Sequence, residues 1–236
     1  MELIQSRIFS AQECNQIWSQ VEGLFPYWRL MRPQHFKRTL PFYVLGNPAY
    51  THRGDIKAYL EADKKIRPIL LNNFRAEYKI IESFMSDKFG AKATFASHLS
   101  LPGFHIFRSS QEFKKQIGPW HVDFDFILLK WRYPVDQDSI KAFTIPICVP
   151  AAGAFFDYLN LSQLSSEVSL SRRKLLAFEK KHGFTSVRHR KGFALIQQGN
   201  YFHRIGTFSE ASVDSDYRVT LQGLAVKQGK NWKMFW

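Results

Sequence analysis

From residue 93 to residue 227 the chain is written almost wholly as short runs of strand-forming residues broken by turn residues, and this pattern restricts its fold more than any other feature. Candidate strands lie near 93–100, 104–109, 121–132, 141–149, 154–160, 184–189, 192–198, 201–207 and 217–227, separated by Gly, Pro, Ser and Asp. One helical stretch, about Ser169 to Lys181, interrupts them and stops at Gly183. Eight or so antiparallel strands must bury their apolar faces against one another. The expected fold class is therefore mainly β with flanking helices, around a double-stranded β-helix (jelly-roll or cupin-like) core.

The first 92 residues are organised differently. Ser10-Ala11-Gln12-Glu13 has the form of a capping box, and Ile17, Val21 and Leu24 follow at helical spacing, which predicts an amphipathic helix over about 11–24. Pro26, Pro33, Pro41 and Pro48 make 25–54 irregular, with Leu40–Leu45 as a short edge strand. Asp55 to about Phe89 reads as two helices, or one kinked at Pro68, carrying an apolar stripe from Ile69 to Met85 and ending at Gly90. The chain is thus expected to be one domain, with 1–92 a helical and irregular support and 93–236 the β core.

Composition is consistent with a packed core. Of 236 residues 45% are hydrophobic and 22 are Phe, which suits an aromatic β interior. Cys14 and Cys148 read as reduced core thiols. The start of the chain lacks a basic stretch followed by an apolar one, and no apolar run reaches membrane-spanning length, so a soluble cytoplasmic protein with no membrane partner is expected. The net charge of +13, with runs such as Arg172-Arg173-Lys174 and Arg188-His189-Arg190-Lys191, reads either as solvated faces or as a field for an anionic partner.

Within the strand-rich region three segments carry chemistry. His121 and Asp123, two apart, share one face of a strand, with Val122 turned away; His203 lies in a later run rich in strand formers. Two imidazoles and one carboxylate leave open positions on a six-coordinate ion, the donor set of non-heme Fe(II) oxygenases, whereas Zn2+ more often takes a closed tetrahedral set. Asp125, of the same parity as Asp123, is the rival carboxylate. Arg218 and Thr220 share a face of the last long strand, so a guanidinium and a hydroxyl can reach one carboxylate together. A His-x-acid triplet alone arises by chance about once in such a chain; its conjunction with a distal His and Arg-x-Thr carries the weight.

The order His121-x-Asp123, His203, then Arg218-x-Thr220, with the flanking Phe104–Arg108, Gly192–Ile196 and Arg218–Gly223 runs, resembles the Fe(II)- and 2-oxoglutarate-dependent dioxygenase superfamily over about residues 95–228. The resemblance implies Fe2+ held by His121, Asp123 and His203. It also implies 2-oxoglutarate with its distal carboxylate on Arg218 and Thr220, O2 as the second cosubstrate, and succinate and CO2 as coproducts. His105, Arg108, Trp120, Asp125 and Trp131 are candidates for the substrate pocket. Halogenating relatives replace the carboxylate ligand by a small residue, so Asp123 implies a hydroxylase or another non-halogenating oxidative member.

Two branches of the superfamily fit less well. AlkB-like nucleic-acid demethylases carry a second Arg six residues after the first, where this chain has Leu224, and prolyl hydroxylases typically carry Lys in place of Arg218. The favoured partner is a small-molecule substrate, including anionic or carrier-tethered ones. Nucleic acid stays a less favoured partner, either as a demethylase substrate or as the ligand of a non-enzymatic basic β-sandwich, because the segment Lys227–Trp236 interleaves basic and aromatic residues; the same segment reads equally as a C-terminal strand or as a cover over apolar surface. If Arg218 anchors the cosubstrate, Arg218→Ala raises the 2-oxoglutarate concentration required by more than about tenfold and leaves metal affinity nearly unchanged, since a charge-assisted pair is worth about 1.5–3 kcal/mol. Separate titrations of metal and cosubstrate check this.

Overall fold

The computed structural model describes residues 2–31, 40–52, 54–115, 118–123, 125–159, 172–198 and 202–236. The chain begins with β1 (Glu2–Arg7) and α1 (Ala11–Gly23). The expected capping box is present: Glu13 N donates to Ser10 Oγ at 3.2 Å and Ser10 N donates to Glu13 Oε2 at 2.7 Å. After β2 (Arg29–Leu30) and β3 (Phe42–Leu45) comes α2 (Ile56–Phe89), capped by the Asp55 carboxylate and stopped by Gly90 in the left-handed region at φ 64°. Its backbone departs from helical geometry at Phe74 (φ −125°, ψ 25°), not at Pro68. There the fully buried Phe74 ring turns into the core, its centroid 4.9 Å from that of Phe104.

The chain then continues through β4 (Ala93–Phe95), β5 (Gly103–Arg108), α3 (Gln111–Lys115), β6 (Asp136–Cys148) and β7 (Ala154–Tyr158). It ends with α4 (Arg172–His182), β8 (Thr185–Arg188), β9 (Phe193–Gln198), β10 (His203–Phe208), β11 (Tyr217–Gln228) and β12 (Asn231–Phe235). Two sheets result. The large one runs β1-β9-β6-β11-β5-β3-β2, with β12 joining β11 to β4, and the small one runs β10-β7-β8. From β5 onward the chain passes from large sheet to small and back. It visits the small sheet at His121, at β7 and β8, and at β10, which is the winding of a double-stranded β-helix.

Parity divides the large sheet. Phe104, Ile106, Phe143, Ile145, Ala194, Ile196, Val219 and Leu221 face α1 and α2 and form the main core with Ile17, Val21, Leu70, Tyr78 and Ile81. Burying each such side chain contributes about 1.5–3 kcal/mol. The alternate residues, among them His105, Thr144, Gln197, Arg218 and Gln222, point the other way, towards the small sheet.

Three expectations need correction. Residues 121–132 form no strand: His121 makes a single bridge to His203, and Asp125–Leu128 is a short 3-10 turn. The segment near 93–100 contributes three strand residues, after which Leu99 N bonds back to Ala96 O. And β3 is not an edge strand, because it pairs with β5 on one side and β2 on the other. The Lys227–Trp236 segment supplies β12, the strand alternative for it, and β1 was missed; β1 aligns Glu2–Arg7 with the length of β9, so the N-terminal part enters the sheet as well as bracing it. Residues 160 and 169–171, at the ends of an expected strand and helix, and Tyr201, in the expected strand 201–207, lie outside the described residues.

The Trp236 ring sits over Gly46 and Gly103, and it lines the space between the sheets. A Cβ on Gly103 would run into that ring and come within 2.7 Å of the Leu45 carbonyl oxygen. Gly103→Ala therefore destabilises the protein by about 1–3 kcal/mol, read as a lowered midpoint in urea with an unchanged slope and a disturbed near-UV signal from Trp236.

Candidate metal centre

Between the two sheets lies a cavity of about 410 Å3. At one wall the segment following Pro119 meets the start of β10. His121 N donates to His203 O at 3.0 Å and His203 N to His121 O at 2.9 Å, so one reciprocal pair of backbone bonds fixes the two imidazoles side by side, with centroids 4.4 Å apart. Asp123 reaches the same point: one ligand atom from each of His121, Asp123 and His203 lies within 4.8 Å of the others, and His203 Nε2 is 3.7 Å from Asp123 Oδ2. The Pro119 carbonyl, 3.0 Å from His121 Nδ1, can only accept, so that nitrogen carries the proton and Nε2 presents its lone pair to the cluster. Phe156 stacks on His203 with centroids 5.3 Å apart, fixing the plane of the buried ring. The three residues fit an octahedral divalent ion with open positions.

Arg218 marks the cavity elsewhere. It is 2% exposed, its Nη1 donates to Gly206 O at 2.9 Å, and its Nε has no partner. Among the described residues no carboxylate lies within 4 Å of it; Asp157, whose charge acts on it, is committed to Arg204 and Ser186. Burial holds the Arg218 guanidinium down to about 9, and it remains cationic at neutral pH. A desolvated cation with an orphaned N–H facing a cavity is the complement of an anion. Thr220 follows on the same face of β11, but it does not line the cavity; its hydroxyl accepts from Gln222 Nε2 at 2.9 Å, and Gln222 forms the wall in its place.

Of the residues expected near a substrate, His105 is the one whose described side chain lines the cavity. Its Nε2 meets Tyr50 Oη at 2.7 Å, and Gln222 lies against the same ring. Arg108 is exposed on the sheet's margin, its Nε donating to Asp214 O. Trp120 packs with Leu159, Leu175 and Phe178, donates to Glu179 Oε2 at 2.8 Å and carries the Arg204 guanidinium on its face. Trp131 packs edge-on against Phe235 and donates to Phe126 O. The Asp125 side chain lies outside the described residues. Missed from the sequence were His189, Thr144, Gln197, Gln222 and Tyr50, all on the cavity wall. Several stand singly in apolar runs, as Thr144 does between Phe143 and Ile145. A lone polar residue of cavity-facing parity was the available signal.

No family model and no curated protein matches the sequence. Solved structures match in shape. The N-substituted L-amino acid dioxygenase of Burkholderia ambifaria AMMD superposes with a TM-score of 0.53 at 13% identity, over 99% of this chain and 85% of that one. Its complex with α-ketoglutarate gives the same score over 99% and 86%. The epimerase SnoN, in complex with Fe3+, α-ketoglutarate and nogalamycin RO, matches with 0.53 at 10% identity over 96% of this chain and 81% of that one. The chain thus has the double-stranded β-helix fold of the Fe(II)- and 2-oxoglutarate-dependent dioxygenases, the superfamily its motifs resemble. Among the described residues no helix is long and apolar enough to cross a membrane.

The buried histidines make a prediction about pH. Burial, followed by the charges of His121 and Arg218, holds His105 down to about 3, and burial and Arg218 hold His189 well below 6.5. Both fold neutral, while in the unfolded chain they take up a proton near 6.5. Their stabilising effect is complete above about pH 6.5 and is lost as pH falls from there towards 3. The melting temperature of the metal-free protein should fall over that window, and His105→Gln should show a shallower acid limb than wild type.

Proposed function

We propose that this protein is an Fe(II)- and 2-oxoglutarate-dependent oxygenase that hydroxylates an unactivated C–H bond of a small-molecule substrate, releasing succinate and CO2. The observation that carries this is the convergence of His121, Asp123 and His203 on one wall of a cavity that also contains the unpartnered buried cation Arg218. The motif order and the shared fold support it.

In this reading His121, Asp123 and His203 would hold Fe2+. Arg218 receives the distal carboxylate of 2-oxoglutarate; Thr220 supports that site through Gln222. Bound together, the metal, 2-oxoglutarate and O2 supply an oxidising centre able to take hydrogen from an aliphatic carbon. What the protein contributes is position: the two sheets flank the reacting groups, and the rings of Phe107, Phe113, Phe156 and Trp236 line the cavity with apolar surface from which a bound substrate would displace water. Asp123 completes the facial set and favours hydroxylation over halogenation.

The remaining wall speaks to the substrate. Thr144, Gln197 and Gln222 present uncharged hydrogen-bonding groups beside Ala142, Phe143 and Leu224. Setting histidines aside, Arg218 and Asp123 are the charged side chains among the described lining residues, and both are engaged in this reading. The part of the substrate that enters is accordingly uncharged, and an anionic or carrier-borne portion would stay at the basic exterior.

Anaerobic addition of Fe(II) and 2-oxoglutarate should produce a weak visible metal-to-ligand absorption that His121→Ala abolishes. Absence of the band in wild type, or its persistence in His121→Ala, overturns the reading.

A further inference from the structure

His189 is placed as no structural histidine needs to be. It follows β8 in a strongly basic run, yet Arg188 and Arg190 on either side are exposed while the imidazole is 4% exposed and turned into the cavity. The backbone explains the direction: His189 N donates to Ala154 O at 2.8 Å, which extends the β7–β8 pairing by one residue and continues its alternation of faces. Among the described residues neither Nδ1 nor Nε2 has a hydrogen-bond partner. A buried imidazole with both nitrogens unpaired loses the hydration of both and recovers nothing, a cost that a core histidine avoids by bonding to a neighbouring carbonyl.

Arg218 has the same deficiency. The guanidinium crosses from the large sheet to bond Gly206 O on β10 in the small one, and its Nε remains without a partner. Burial first, and then the Arg218 charge, keep the His189 imidazole neutral. Two orphaned donors of this kind, one a cation and one a neutral ring N–H, border the same cavity. A single carboxylate has two oxygens and about four acceptor positions, enough for both.

Resting on the oxygenase reading above, we infer that His189 is a second anchor for the distal carboxylate of 2-oxoglutarate, acting with Arg218 in the position that the sequence pattern assigned to Thr220. A neutral imidazole donates a hydrogen bond without adding to the charge of a site already holding an uncompensated cation. The guanidinium supplies attraction, and the ring supplies direction. The pair then selects 2-oxo acids that end in a carboxylate at this distance from the ketone.

The test uses the visible absorption of the anaerobic Fe(II) protein to titrate two ligands, 2-oxoglutarate and 2-oxopentanoate, which shares the chelating end and chain length but lacks the distal carboxylate. His189→Phe, which keeps a ring and removes the donors, should weaken 2-oxoglutarate by about tenfold or more and leave 2-oxopentanoate unchanged. His189→Asn, which retains an N–H donor, should recover part of the loss, and it serves as the second variant should the Phe substitution fail to fold. Equal affinity of wild type and His189→Phe for 2-oxoglutarate overturns the inference, as does a parallel loss of both ligands, which marks a structural residue. A wild-type protein that binds neither ligand removes the oxygenase reading itself, and with it this inference.

Discussion

The strands of the large sheet have to satisfy two opposite solvents at once, and the rest of the structure follows from how they do it. One face of β5, β6, β9 and β11 packs dry against α1 and α2. The other carries His105, Thr144, Gln197, Arg218 and Thr220, all buried or nearly so. A shift of one residue in any of these strands would place a guanidinium or an amide in the hydrophobic core and a valine or leucine in the cavity, so register is specified from both sides. The apolar face makes the sheet stable enough to hold on its other side a polar surface that folding alone would not favour.

The site is built where that surface meets the small sheet. The edge of the small sheet beside β10 is extended not by a full strand but by His121 alone, through two backbone bonds to His203. This short pairing juxtaposes the two imidazoles, and Asp123, two residues on, brings its carboxylate to within 4.8 Å of both.

Arg218 is the costly element. Removing a guanidinium from water costs several kcal/mol unless charges or hydrogen bonds compensate it, and among the described residues the direct compensation is one carbonyl. Together with the His189 nitrogens, unpaired among the described residues, it gives the cavity an unmet demand for acceptors. A core selected for stability alone would have met that demand internally, as the buried Asn47, Ser100 and Tyr59 hydrogen bonds do elsewhere in the molecule.

Local and periodic features were legible in the chain itself. The capping box at Ser10, the stop at Gly90 and most of the strands follow from neighbours a few positions apart, and the candidate set His121, Asp123, His203 and Arg218 from a motif whose order survives without any structure. Tertiary structure decided the rest. Nothing local distinguishes His189 from the arginines beside it, because its burial depends on β7 and on the sheet opposite. Trp120, next to His121 in sequence, turns away from the cavity because α4 provides it with Glu179 and an apolar bed. The 121–132 segment has strand-forming residues, but a strand exists only where a partner edge offers hydrogen bonds, and β10 offers them at one position. Side-chain type is a property of the sequence, whereas which side chains face the same enclosed space is set by pairings between residues far apart in the chain.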